Sequence, residues 1–249
     1  MQEQQHDSSQ QQVRGYLLVT FGYWGFTITD GALRMLVVLY FHLLGYSPLE
    51  VASLFLFYEF FGIVTNLVGG WLGTRIGLSL TMLIGMGLQV LALCLLLAPD
   101  SWLSVVYVMF AQALSGVAKD LNKMSAKSGI KLLVPDEQQG TLYKWVAILT
   151  GSKNTLKGVG FFLGGVLLVA AGFKGAVVIM AVALGLVWLA SLFLLRRELG
   201  KSKAKPKFRE ILSKSRAINV LSAARMFLFG ARDVWFVVAL PVYLHTVFG

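Results

Sequence analysis

From Tyr16 to Leu44 the chain runs apolar for long enough to cross a bilayer, and within that run Phe26-Thr-Ile-Thr-Asp30-Gly-Ala-Leu-Arg34 sets an acid and a base four residues apart. That spacing puts Asp30 and Arg34 on one helical face. Charged groups at membrane depth are costly, and they usually face a bundle interior or a path for substrate or ions. The stretch therefore reads as the wall of a lined cavity, with a structural ion pair between Asp30 and Arg34 as the plainer alternative.

The rest of the chain has the same character. Of 249 residues 57% are hydrophobic and only 14% charged, the composition of a polytopic membrane protein. A net charge of +10 would point to nucleic acid in a soluble protein. Here the excess of lysine and arginine expected in cytoplasmic loops absorbs it, and no nucleic-acid partner is expected. Cys94 is the only cysteine, which excludes a disulfide within the chain and a thiolate-rich metal site; no metal and no cofactor is called for. The polar N-terminus, MQEQQHDSSQQQ, lacks the features of a secretory signal, so residues 1–15 are expected to be a disordered cytoplasmic segment before a retained span.

Seven spans are expected. The first, Tyr16 to Leu44, ends at Gly45-Tyr-Ser-Pro48. The second, Leu49 to Leu72, carries Glu59 near its middle and is followed by a glycine-rich turn, Gly69-Gly-Trp-Leu-Gly-Thr-Arg75-Ile-Gly77. The third, Leu80 to Ala98, has Gln89 as its one strongly polar side chain and reads as a packing helix. The fourth is apolar from Trp102 to Ala118 and then carries Lys119, Asp120, Lys123, Lys127 and Lys131. Ending at Lys119, it would let the lysines snorkel into headgroups; continuing to Leu133, before Val134-Pro-Asp-Glu, it would bring Lys119, Asp120 and Lys123 into the membrane. Lys127 and Lys131 read as interfacial in either case. The fifth, Leu142 to Phe173, holds Lys153 and Lys157 on one face with no acid in the span, and Gly160, Gly164 and Gly165 at a spacing that permits close helix packing. The sixth, Ala176 to Leu195, is apolar throughout. Residues 196–216 then form a basic linker, with nine basic residues against Glu198 and Glu210, and a last span starting near Ile218 carries Arg225, Arg232 and Asp233.

Arg14, Arg75, the Lys119 to Lys144 region and the linker fall on one side of these spans and only Lys174 on the other, which puts the N-terminus in the cytoplasm. Sliding the chain on itself by 203 residues brings Phe26 onto Phe229, Asp30 onto Asp233, Tyr40 onto Tyr243 and His42 onto His245. The seventh span thus reads as a second copy of the first. Six-span repeats joined by a basic linker are the plan of transporters whose halves enclose a midplane site. The expected architecture is an all-α polytopic transmembrane bundle: a six-helix half (16–195), the linker (196–216), and the first helix of a second half (217–249), with about five helices missing from that plan.

Several of these stretches resemble the major facilitator superfamily. Gly70-Trp-Leu-Gly73-Thr-Arg75-Ile-Gly77 is similar to its gating-loop motif between helices two and three, with Thr74 where the motif carries an aspartate and Leu78 and Ser79 in place of its basic pair. Gly160-Phe-Phe-Leu-Gly164-Gly165 resembles the fifth-helix motif of its antiporters, with Phe161 in place of proline. The superfamily's short loop between helices four and five often reads like Val134-Pro-Asp-Glu, which favours the long fourth helix. Over nearly all of the chain after Arg14, TDGALRMLVVL, LFLFYEFFG, QALSGVAKDLNKMSAKS, LYKWVAILTGSKNTLKGVGFFLGG, KSRAINVLSAAR and FLFGARDVWFVVALP resemble the ArsJ family of organoarsenical efflux permeases. That resemblance implies export of 1-arseno-3-phosphoglycerate from bacteria, across the inner membrane, with arsenate resistance as the outcome and a functional link to a glyceraldehyde-3-phosphate dehydrogenase. It implies no residue-level site.

The residues themselves supply one. Arg34, Lys119, Lys123, Lys153, Lys157, Arg225 and Arg232 outnumber Asp30, Glu59, Asp120 and Asp233 at membrane depth, so the cavity should select anions. The lack of clustered cysteines argues against a soft trivalent arsenic ligand and fits a hard oxyanion. Coupling to protons through Asp30, Glu59, Asp120 or Asp233, and exchange against an external anion, are both open, and Glu59 reads equally as a carboxyl bound to a neighbouring helix. His42 and His245, at outer helix ends, read as interfacial. The competing readings are a proton-coupled drug or cation exporter using Asp30 and Glu59, and a membrane receptor or scaffold without flux. An enzyme is not expected, because no HExxH, GxSxG or paired-carboxylate arrangement appears.

Overall fold

A computed structural model describes residues 2–135, 138–195 and 215–248. The described elements are helical: α1 (Gln2–Leu43), a short α2 (Pro48–Ser53), α3 (Leu56–Ile76), α4 (Leu78–Leu95), a single 3-10 turn (Asp100–Trp102), α5 (Val105–Leu133), α6 (Gln139–Leu194), α7 (Arg216–Asp233), a π-helical turn (Val234–Ala239) and α8 (Leu240–Phe248). Among the described residues, four helical segments are long and apolar enough to cross a membrane by length and composition: Val13–Leu43, Pro48–Asn66, Leu78–Leu95 and Gln139–Leu194. α5 is long enough, its 29 residues reaching about 43 Å against a bilayer core of about 30 Å, but it is less apolar than these four and carries Lys119, Asp120, Lys123, Lys127 and Lys131. The chain is therefore an all-α membrane bundle.

Local chemistry explains the breaks. Ser47 caps α2 in a reciprocal capping box with Glu50, and Pro48 occupies the first turn, where its missing N–H costs nothing. Gly77, at φ 98°, is the whole connection between α3 and α4. Ser104 caps α5 by accepting from the Tyr107 N–H. The π turn sits beside Pro241, which cannot donate to the helix ladder and forces the preceding turn to widen.

α6 is two helices joined at Gly172, whose φ of 67° and ψ of 178° are non-helical. Its contacts establish the reversal. Going up α1, Tyr16 stacks on Trp145, Trp24 donates to Ser152, Gly31 meets Gly160 and Tyr40 stacks on Phe173. Beyond Gly172 the chain descends again, with Val187 against Gly25 and Ser191 against Gly22. The descending half is tied to α4 by Trp188 donating to the Leu83 carbonyl at 2.9 Å. α1 is consequently the central helix: Val19, Leu36, Val37, Val38 and Phe41 are fully buried, whereas Phe162, Val169 and Phe193 of α6 face outward, as lipid contact requires.

Several expectations are corrected. The N-terminal residues expected to be disordered are helical from Gln2, a continuation allowed by helix-forming Gln and Glu and the absence of Pro or Gly before Gly15. The second span is broken at Leu54 and Phe55, so Glu59 lies in the first turn of α3 rather than mid-helix. The glycine-rich turn shrinks to Gly77: Gly70, Gly73 and Arg75 belong to α3. The fourth helix, by contrast, takes the long form that Val134-Pro-Asp-Glu favours, to Leu133. The linker, apart from Ser215 and Arg216, lies outside the described residues.

The α1–α6 crossing depends on missing side chains. A Cβ on Gly160 would sit 2.5 Å from the Ile28 carbonyl oxygen, and one on Gly164 would collide with the Ala32 carbonyl. Around Gly158 a Cβ would meet nothing within 4 Å. Gly160→Ala and Gly164→Ala should each destabilise by about 1–3 kcal/mol through overpacking, whereas Gly158→Ala should leave stability unchanged or raised. Thermal unfolding of the three variants in detergent checks this, and equal losses in all three would sink it.

Candidate functional site

The charged residues of α1, α3 and α5 form one connected network. Asp30, 5% exposed, accepts a 2.7 Å hydrogen bond from the hydroxyl of Tyr58, which is fully buried. The Tyr58 ring lies beneath two cations, with the Arg34 guanidinium 4.4 Å and the Lys119 ammonium 4.1 Å from its centroid. Arg34 Nη2 meets Glu59 Oε1 at 2.5 Å, and Lys119 Nζ meets the other oxygen, Oε2, at 3.3 Å. Asp120 continues the chain, 3.8 Å from Lys119 and 3.1 Å from Lys123. α3 and α5 can approach this closely because Gly62 faces Asp120 and Gly116 lies against the Tyr58 backbone.

Asp30 and Arg34 therefore share a face of α1, but among the described residues each finds its partner on α3 rather than in the other. The reason is reach. Tyr58 and Glu59 are adjacent in the first turn of α3, so one helix end supplies a donor to the acid and an acceptor to the base.

The lysines of α6 look onto the same network. Lys153 is in electrostatic reach of Lys123, Lys127, Asp30 and Lys119. Lys157 is within reach of Glu59 and lies over the Phe161 ring at 5.6 Å. Lys127, one helical turn beyond Lys123, lies among like charges, Lys123, Arg225 and Lys131. Arg34, Lys119, Lys123, Lys153 and Lys157 are thus brought together with Asp30, Glu59 and Asp120, while Arg225 is exposed and reaches Lys127. Arg232 is exposed, and the side chain of Asp233 lies outside the described residues. Arg75 stacks on Trp71 at 4.8 Å, about 24 Å along α3 from Glu59, so it belongs to the helix end and not to the cluster. Gly165 makes only an ordinary contact with Leu39.

Tyr58 is the member that the sequence shows only as a polar tip in the aromatic run LFLFYEFFG, and Lys127, which reads as interfacial, is half-buried and continues the four-residue period of Lys119 and Lys123. Gln89, read as part of a packing helix, accepts a 2.7 Å hydrogen bond from Ser115 in the α4–α5 contact. His42 and His245 meet edge to face, ring centroids 5.4 Å apart.

Residues 17–249 match the family model described as Major Facilitator Superfamily. No curated protein matches the chain. Among solved structures, a bacterial homologue of the human drug peptide transporters PepT1 and PepT2 superposes with a TM-score of 0.63 at 18% identity, over 94% of this chain and 54% of that one. A POT family transporter in complex with a thioalcohol-conjugated peptide gives 0.66 at 18%, and one in complex with 5-aminolevulinic acid gives 0.65 at 19%, each over 94% of this chain and 48% of the other. At these identities the likeness is one of fold. The chain spans about half the length of these transporters.

Removing the Tyr58 hydroxyl would leave the Asp30 carboxylate buried without that donor. Tyr58→Phe should cost about 1–3 kcal/mol, and little further should be lost when Asp30→Asn is added, because the two changes break one bond. A double-mutant cycle read by thermal unfolding tests this; additive losses would mean the bond contributes nothing.

Proposed function

The chain belongs to the Major Facilitator Superfamily, and we propose that it acts as a secondary active transporter that exports an organic oxyanion by alternating access. The observation that carries this reading is the imbalance of the cluster: among the described residues Arg34, Lys119, Lys123, Lys153 and Lys157 gather about three acids, Asp30, Glu59 and Asp120. In a medium of low dielectric such a surplus attracts anions and repels cations. The same observation weighs against a drug or cation exporter built on Asp30 and Glu59, because both carboxylates are already engaged, by Tyr58 and by Arg34 with Lys119.

The stretches resembling ArsJ permeases support the finer identification of the cargo as 1-arseno-3-phosphoglycerate, whose phosphate at one end and acyl arsenate at the other together demand several cationic donors. The dehydrogenase implied by that resemblance would supply this acyl arsenate in the cytoplasm, and its export would confer arsenate resistance. The proposed placement is the bacterial inner membrane, N-terminus inside, with residues 16–195 forming one half of the cavity wall, 196–216 a cytoplasmic linker and 217–249 the opening of the opposite wall. Glu59 is the proposed coupling group. Its carboxylate holds Arg34 and Lys119 together, so protonation, or displacement by an incoming anion, would free both cations for the cargo.

In sealed vesicles, the double change Lys153→Ala with Lys157→Ala should lower oxyanion transport at least tenfold, since neither lysine forms the Glu59 bridge between α1, α3 and α5. Unchanged oxyanion flux would remove the site assignment. Flux of organic cations insensitive to these lysines would instead favour the cation exporter, and no flux of either kind a receptor or scaffold.

A further inference from the structure

Tyr58 touches both branches of the charge network. Its hydroxyl donates to Asp30 at 2.7 Å, while its ring centroid lies 4.4 Å from the Arg34 guanidinium and 4.1 Å from the Lys119 ammonium. Both distances fall inside the roughly 6 Å over which the negative face of an aromatic ring attracts a cation. Arg34 has a second ring, Phe55, 5.5 Å away and one turn earlier on α3. The same two cations hold the two oxygens of Glu59. Arg34 and Lys119 therefore share two neighbours, one that carries a charge and one that carries none.

The difference matters when Glu59 is protonated or displaced. Two like charges left side by side in a medium of low dielectric repel, and the long, flexible stem of Lys119 lets it move away. An aromatic face has no proton to gain, so its attraction persists through the exchange. The ring is itself held from outside the pair: Tyr58 is fully buried, its backbone packs against Gly116, and its hydroxyl is fixed by Asp30. Resting on the anion-transport reading above, we infer that Tyr58 is a positioning residue for the cargo, its ring keeping Arg34 and Lys119 turned toward a common anion once Glu59 lets go. Asp30 then acts on the site by orienting that ring. Lys119 depends on the ring more than Arg34 does, because Arg34 also has Phe55.

Equilibrium binding of 3-phosphoglycerate to the purified protein in detergent tests the assignment, with Tyr58→Phe as the reference and mono-, di- and trifluorinated phenylalanine placed at the same position. Fluorine drains the negative face of the ring while barely changing its shape, so affinity should fall at each step, by about tenfold in all. A ring that served only as packing would give a flat series. A flat series, or affinity that rises with fluorination, overturns the inference. Should these variants fail to fold, the wild-type protein still decides. The ε-methylene signal of Lys119, identified by its loss in Lys119→Arg, should be shifted upfield by the ring and should stay so when 3-phosphoglycerate saturates the site. An unshifted signal, or one that returns to its ordinary position on saturation, overturns the inference. The two readings fail separately. A graded fall in binding with vesicles that move no anion removes transport and leaves the positioning role; anion flux with a flat series does the reverse, and absence of any 3-phosphoglycerate binding removes both.

Discussion

One carboxylate, Glu59, holds two cations from different helices, and the arrangement of the bundle follows from that. Arg34 is 2% exposed in the core of α1, a position no guanidinium occupies without a counter-charge. At 4 Å, opposite unit charges attract by about 4 kcal/mol at an effective dielectric of 20, enough to offset part of the desolvation only if geometry is tight. The 2.5 Å contact to one oxygen of Glu59 and the 3.3 Å contact to the other from Lys119 supply it. Because the three groups come from α1, α3 and α5, satisfying the charge fixes the three helices against one another.

Packing makes that contact attainable. In lipid there is no hydrophobic force drawing helices together, so close approach rests on small residues and on polar groups that find each other. Gly62 and Gly116 let α3 meet α5 where Asp120 and Tyr58 lie, and Gly31 with Gly160 lets α1 meet α6 backbone to backbone. The second crossing has an electrostatic consequence as well. By pressing the middle of α6 onto α1 it brings Lys153 and Lys157, on a helix that carries no acid, up to the carboxylates of the neighbouring helices.

Much of this was legible in the residues, and what was not has identifiable causes. Apolar length located the helices, and the four-residue periods of Lys119, Lys123 and Lys127 and of Lys153 and Lys157 gave the cationic faces, because period and length are local properties. Partnership is not local. Asp30 and Arg34 looked like a pair because they share a helix face, yet Tyr58 and Glu59 compete for them from α3 and win by geometry that spacing along one helix cannot encode. The glycine-rich stretch before Gly77 looked like a loop because isolated glycines disfavour helix, by about 1 kcal/mol each. Tertiary packing overrides that preference through Ile76, with Gly73 fitted against Leu78.

The internal repeat shows where scaffold ends and chemistry begins. His42 and His245 correspond under the 203-residue shift, and their rings touch. The outer ends of α1 and α8 therefore meet at this pair. Arg34 breaks the pattern, since its counterpart is Val237. Lys119, Lys123, Lys127, Lys153 and Lys157 lie on α5 and α6, outside the stretch that the shift superposes. A symmetric ring of cations would repel itself when empty. Here Glu59 and Asp120 neutralise part of the charge, which lets Arg34, Lys119 and Lys123 sit together in the bundle.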